Sequence, residues 1–322
     1  MWIRDRTSAA DETFSPVFHF DAEEGLFEGG NFWDGRATGE VLGNPSADQA
    51  LGPFLNFVEQ NNLEKLAVLK QIAKSKYADL WEEVWGEPLK YSTNEEIDKN
   101  YGRVGLSIAA FEGSSEVNSF TSKFDYYKAG KVEFTEEEEW GMALFNDEQE
   151  GKCFLCHPSE PDSDHELNYA LFTDFTFDNL GVPKNPKNPF YAMDKVYFSD
   201  GSAINPEGEN WIDKGLGGFL ATRSEWSAMA DENMGKHKVP TLRNVGKKPG
   251  NGYIKAYMHN GVFKSLKEVV HFYNTRDVEV WPAPEVPENV NNDELGNLGL
   301  TDEEENAIVA FLNTLSDGYK LK

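Results

Sequence analysis

Apolar positions recur three and four apart in several stretches, while strict alternation is nearly missing, so the pattern predicts helices joined by long loops. Ile308, Phe311, Leu312 and Leu315 trace one helix face behind Thr301-Asp302-Glu303-Glu304. That Thr-x-x-Glu start has the form of a capping box, in which hydroxyl and carboxylate each satisfy a backbone N–H at the helix entrance. Thr135-Glu136-Glu137-Glu138 repeats it ahead of Trp140, Leu144 and Phe145, expected to face a core. Thr93 and Glu96 open another candidate helix through Val104, Ile108 and Phe111. In 265–273, Leu266, Val269, Val270 and Tyr273 share a face, which turns His271 toward solvent. The acidic run at 136–139 reads as a solvated helix start, where the helix dipole favours negative charge.

Strand signals are sparse; 195–201 is a candidate short strand running into a turn. Two Gly/Pro/Asn-rich connections, 182–220 and 277–299, have little periodicity, and loops that long inside compact domains usually serve a function or wrap a ligand. A mainly α protein with generous loops is what results when a large cofactor supplies part of the core. The expected domain boundary lies near 126–134, dividing the chain into 1–130 and 131–322.

At 322 residues the chain has room for two ordinary domains, and its 39 % hydrophobic content argues for a folded protein. No apolar run approaches the roughly 18 residues of a membrane span. The opening residues, 1–14, lack the apolar segment of a signal peptide. The formal charge is −26, from 56 acidic and 30 basic residues. That argues against nucleic acid or an anionic membrane as partner. It suits a basic protein partner, or solubility alone.

The only two cysteines, Cys153 and Cys156, stand three apart with His157 directly after. Cys-x-x-Cys-His is the attachment signature of c-type haem: two thioethers pin the porphyrin edge and place the next imidazole beneath the iron. A structural zinc would want a second ligand pair at similar spacing, and no other cysteine exists. A thioredoxin-type pair would sit in a βαβ context missing here. His157 is thus the proximal ligand. Attachment of this kind occurs outside the cytoplasm, which places the chain in the periplasm or beyond. The other iron ligand is not forced by spacing among histidines 19, 157, 165, 237, 259 and 271 or the six methionines. Tyr273 reaches the iron if its helix face looks at the haem; otherwise it is a core tyrosine.

Several elements together resemble the bacterial dihaem cytochrome c peroxidases and their MauG-type relatives. They are "NFWDGRATG" (31–39), "DQALGPFLNFVEQ" (48–60), "IAAFE" (108–112), "FDYYKAG" (124–130) and "EEWGMALFN" (138–146), then "VPTLRNV" (239–245) and "YMHNGVFKSLKEVVHFYN" (257–274). The resemblance implies a mainly α fold of two cytochrome c-like haem domains, the first peroxidatic. It implies that Gln49 and Glu59, ten apart, line the peroxide pocket of the N-terminal haem, Glu59 moving the peroxide proton and Gln49 holding peroxide or water. It implies that Trp33 relays electrons between haems and that Tyr273 is the distal ligand of the C-terminal haem, as in MauG-like proteins. A phenolate there would stabilise oxidised iron. His259 would stand outside the ligand shell at the haem and domain interface, and Arg243 would pair with a propionate.

The family has two Cys-x-x-Cys-His sites, whereas only thirteen residues precede Phe14 and none is cysteine. The expectation is that the chain is the downstream part of a longer protein carrying a second haem, or that this haem has been lost. His19 could ligate a haem bound without thioethers. The family also often binds calcium between its domains; around Thr7 and 254–256 no convincing counterparts stand, so calcium stays open. Two functions follow. One is a peroxidase that reduces hydrogen peroxide with electrons from a small cytochrome or cupredoxin, or from a protein substrate, and a homodimer is compatible with it. The other is a non-enzymatic electron-transfer cytochrome, a subunit of a larger assembly.

Overall fold

The computed structural model describes residues 10–161, 167–198, 200–248, 250 and 252–321; Thr7 and His165 lie outside them. The fold is mainly helical, as the periodicity predicts, with two small two-stranded sheets among the described residues. The chain divides into two compact units between Asn118 and Ser119.

In the first unit, strands β1 (His19–Asp21) and β2 (Leu26–Glu28) form an antiparallel hairpin. Helices α1 (Pro45–Leu55), α2 (Lys65–Ile72), α3 (Leu80–Trp85) and α4 (Asn94–Glu112) follow. α1 packs closely on α4 because Gly105 has no side chain: a Cβ there would lie 2.6 Å from the Ala47 carbonyl oxygen. The Tyr101 hydroxyl donates to the Leu51 carbonyl at 2.7 Å, tying the same two helices. Val104 is buried as expected, but Phe111 is 57 % exposed. Its position near the helix end lies beyond the cover of α1.

In the second unit, α5 (Lys123–Lys128) precedes α6 (Glu136–Phe145). β3 (Phe177–Asp178) pairs antiparallel with β4 (His237–Lys238), and α7 (Gly215–Leu220) lies between them in sequence. α8 (Leu266–Thr275) and α9 (Asp302–Asn313) complete it. The capping boxes at Thr93, Thr135 and Thr301 form, as do two more at Ser122/Asp125 and Ser265/Glu268. Ile308, Phe311, Leu312 and Leu315 are all buried, against Leu144 and Phe145 of α6. Trp140 is 43 % exposed, because it lies on the outer side of α6.

The boundary lies N-terminal to the expected 126–134 stretch. The reason is α5: Phe124 packs edge-on against Phe172 and Phe311. The Thr121 amide donates to Asp317 at 2.6 Å, so this segment belongs with the second unit. The strand expected at 195–201 is also replaced. Lys195 closes a 3-10 helix begun at Pro189, and among the described residues an isolated bridge, Tyr197 to Ala203, forms beyond it. The connection 182–220 further holds α7, whose glycine-rich sequence hides a helix signal.

Candidate functional site

Cys153–Leu155 form a single 3-10 turn entered through Lys152 in the left-handed region (φ 55°). Gly151 before it is pressed on α6, where a Cβ would lie 2.0 Å from the Leu144 carbonyl oxygen. The His157 amide donates to the Cys153 carbonyl at 3.0 Å, folding the histidine back beneath its two cysteines. Its ring is buried, and Nδ1 lies 2.7 Å from the Phe172 carbonyl oxygen. A carbonyl only accepts, so Nδ1 carries the proton and Nε2 keeps its lone pair, the tautomer a metal requires. Burial pushes the His157 pKa down to about 4, so the ring is neutral over the physiological range. Phe172 holds its carbonyl there from a left-handed backbone (φ 56°), a costly conformation for a bulky residue.

Both cysteines are free thiols. Burial pushes Cys153 up to about 12 and Cys156 higher still, where Asp174, Glu294 and Asp178 add like-charge repulsion. Such sulfurs are poor thiolates but suit neutral thioethers. Ligand atoms of Cys156, Asp178 and Glu294 lie within 4.8 Å of one another. Tyr273, on α8, belongs to this group. Burial drives its phenol well above its ordinary pKa, and the neighbouring Cys156, Asp178 and Cys153 push the same way. It is therefore a neutral phenol in this structure. Phe154, Met258, Val262, Val269 and Trp281 lie partly buried against the core. Two thiols on one turn, an imidazole lone pair and this partly covered apolar fringe together fit a covalently held haem.

His271, on the same helix, is not free in solvent as expected. Its side chain is partly exposed, Nδ1 bonds to the buried Glu305 at 2.9 Å, and Nε2 lies 3.4 Å from Glu279. Arg243 is tied to protein partners. Its guanidinium grips both oxygens of Asp125, at 2.9 and 3.2 Å, and its Nε donates to the Ala170 carbonyl at 2.6 Å. These partners hold the guanidinium in an ion pair buried on both sides.

In the first unit, Trp33 sits in the turn closed by the Asn31–Ala37 bridge, which the Asn31 side chain ties to Ser46 of α1 at 2.9 Å. The Trp33 indole Nε1 is buried without a hydrogen-bond partner. Gln49 lies half-buried on α1. Glu59 lies half-buried in the turn that follows, its amide donating to the Asn56 carbonyl at 3.0 Å. His19 lies on β1 with its ring half exposed and Nδ1 on the Val17 carbonyl at 2.9 Å.

The structure brings His259 into a group that the sequence did not suggest. Its ring stacks on His237 at 3.6 Å, and Asp213 and Glu285 face the two imidazoles. Those residues come from separated segments whose spacing carries no motif.

A family model described as di-haem cytochrome c peroxidase matches residues 9–133. The chain is 31 % identical over 316 residues to the methylamine utilization protein MauG of Paracoccus denitrificans (strain Pd 1222), covering 94 % of this chain and 71 % of that one. It is 30 % identical over 216 residues to the cytochrome-c peroxidase IdrP1 of Denitromonas iodatirespirans, covering 65 % of this chain and 48 % of that one. Among solved structures, the diheme peroxidase BthA from Burkholderia thailandensis E264 superposes with a TM-score of 0.73 at 26 % identity, covering 98 % of this chain and 72 % of that one. A MauG-like protein associated with microbial copper homeostasis shares the fold, with a TM-score of 0.59 at 19 % identity.

Proposed function

This chain belongs to the di-haem cytochrome c peroxidase family, whose members are peroxidase-type haem oxidoreductases, and on that premise we propose that it reduces hydrogen peroxide with electrons from a protein donor, in the periplasm or outside the cell. The observation that carries the reading is His157: a buried neutral imidazole, its Nδ1 proton held by the Phe172 carbonyl, next to two thiols on one turn. Haem, when bound, supplies the redox-active iron. Cys153 and Cys156 would hold it by thioethers, and His157 Nε2 would be its ligand.

Overall, peroxide takes two electrons and two protons and gives two waters. Glu59 would move the proton from one peroxide oxygen to the other through its carboxylate. Gln49 would hold peroxide or water by its amide, and Trp33 would offer an oxidisable indole on the electron path. The acidic surface suits a basic donor such as a small cytochrome or cupredoxin. A protein substrate could donate instead, and a homodimer is compatible with either. Calcium keeps no assigned residues.

The test is steady-state peroxide consumption by the haem-loaded protein with a reduced donor. Replacing Glu59 with Gln removes the proton carrier and should slow turnover by about 10²–10⁴-fold. Unchanged turnover in E59Q would remove the residue from the mechanism. The second reading, an electron-transfer cytochrome, gains from the Tyr273 phenol beside the thiols, which could supply a further ligand to the iron. It predicts no peroxide consumption by the wild type.

A further inference from the structure

Away from the Cys153 turn, four side chains converge that the peroxidase reading does not use. Asp213 precedes α7, His237 is on β4, His259 is in the turn before α8, and Glu285 lies in the long 277–299 region's leading half. All four are at least nine-tenths buried by side chain: Asp213 5 % and His237 10 % exposed, His259 7 % and Glu285 2 %. His237 Nε2 lies 3.7 Å from Asp213 Oδ1, and His259 Nε2 lies 3.7 Å from Glu285 Oε2. Both Nε2 atoms are buried and make no hydrogen bond. Buried polar atoms in native proteins nearly always have partners, so two orphaned nitrogens in one place need an explanation.

The surroundings are built to aim these groups. His237 Nδ1 donates to the Gly235 carbonyl at 2.9 Å, which leaves Nε2 as the ring nitrogen available to a metal. Glu285 Oε1 accepts from the Tyr191 hydroxyl and from the Asp213 amide, both at 3.2 Å, and Oε2 from Asn260 at 3.3 Å. Asp213 Oδ1 accepts from the Gly215 amide at 3.2 Å. Gly215 itself has φ +54°, and a Cβ there would lie 2.0 Å from the Lys236 carbonyl oxygen. Only glycine lets the Asp213 segment lie against the His237 strand.

We propose that Asp213, His237, His259 and Glu285 bind one divalent transition-metal cation of the class that imidazole and carboxylate share, with zinc as the reference ion. Ligand atoms of Asp213, His237 and His259 already lie within 4.8 Å of one another. A tetrahedral ion with bonds of about 2.0–2.1 Å needs them closer, which side-chain rotation supplies. The two rings are stacked 3.6 Å apart at 6°. Parallel rings cannot both hold an ion in plane, so binding opens the stack. A hard cation such as calcium is disfavoured, since two of the four ligands are nitrogen. The site neighbours the Cys156 group through the sheet, where His237 pairs with Asp178. An ion there would fix the strand that frames the proposed haem edge.

The test uses the haem-loaded protein purified without chelator. Elemental analysis by inductively coupled plasma mass spectrometry is set against haem iron, followed by chelator dialysis and titration with zinc chloride. The expected result is one equivalent of non-haem transition metal per chain, removed by chelator and restored by zinc. His237→Phe and His259→Gln should each lose it, while His271→Gln, at the unrelated Glu305 contact, should keep it. If the first two variants fail to fold, Asp213→Asn and the wild-type zinc titration decide. Wild type that takes up no zinc, calcium as the sole bound metal, or an undiminished equivalent in folded His237→Phe would each overturn the proposal.

Discussion

Removing the Asp125 carboxylate should unfold the second unit at a markedly lower temperature, and the size of the loss follows from what the carboxylate holds. Asp125 and Arg243 are paired bidentately with side chains 5 % and 1 % exposed. Asp125 Oδ2 also accepts from the Ser122 amide at 2.9 Å and the Ser122 hydroxyl at 2.7 Å, closing the box that starts α5. Asp125→Ala strands a buried guanidinium and opens the cap. Breaking a buried pair from one side costs about 3–5 kcal/mol. For a unit of this size each kcal/mol is worth about 2–4 °C, so Tm should fall by roughly 6–20 °C. Arg243→Met should cost less, because Asp125 keeps its two Ser122 donors. The assay is differential scanning calorimetry of haem-loaded protein, with both single variants and the double variant in one thermodynamic cycle. If Asp125→Ala shifts Tm by less than ~2 °C, the pair is not structural. A normal Tm with an altered haem reduction potential in Arg243→Met would instead assign Arg243 a propionate as its partner.

Gly141→Ala should destabilise, although alanine ordinarily favours a helix interior by about 1 kcal/mol. The added Cβ would lie 1.9 Å from the Ala307 carbonyl oxygen, so α6 and α9 must part; chemical denaturation should show a loss of about 1–3 kcal/mol or more, and a gain would contradict the packing. The His271 pKa is raised, chiefly by its hydrogen bond to Glu305. Its contribution to stability is therefore full below the unfolded value of about 6.5 and is lost as pH rises through the higher folded value. Wild type should exceed His271→Gln in stability at pH 5.5 by more than at pH 8.5; a pH-independent difference in urea melts would refute this.

Helices with strong caps and a clear apolar face were legible in the sequence, because Thr-x-x-Glu starts and 3.6-residue spacing act locally. The α9 face is an example, and the Cys153–His157 turn was legible for the same reason: its chemistry sits within five consecutive residues. What depended on distant partners was not. Trp140 and Phe111 share the helical spacing of buried residues, but exposure is decided by which neighbour covers them. Arg243 stands in a recognisable motif, but its partner Asp125 lies 118 residues away. Asp213, His237, His259 and Glu285 meet only because the long connections fold back, and no spacing records that. α7 has no helix signal in its sequence because three of its six residues are glycine, held helical by close packing against 230–236 rather than by propensity.

The most direct test of the account is the mass of the proteolytic peptide carrying Cys153, Cys156 and His157, taken from protein made in a host that attaches c-type haem. The account predicts a peptide heavier by one haem with neither thiol open to alkylation. A peptide of unmodified mass with two alkylatable cysteines would contradict it.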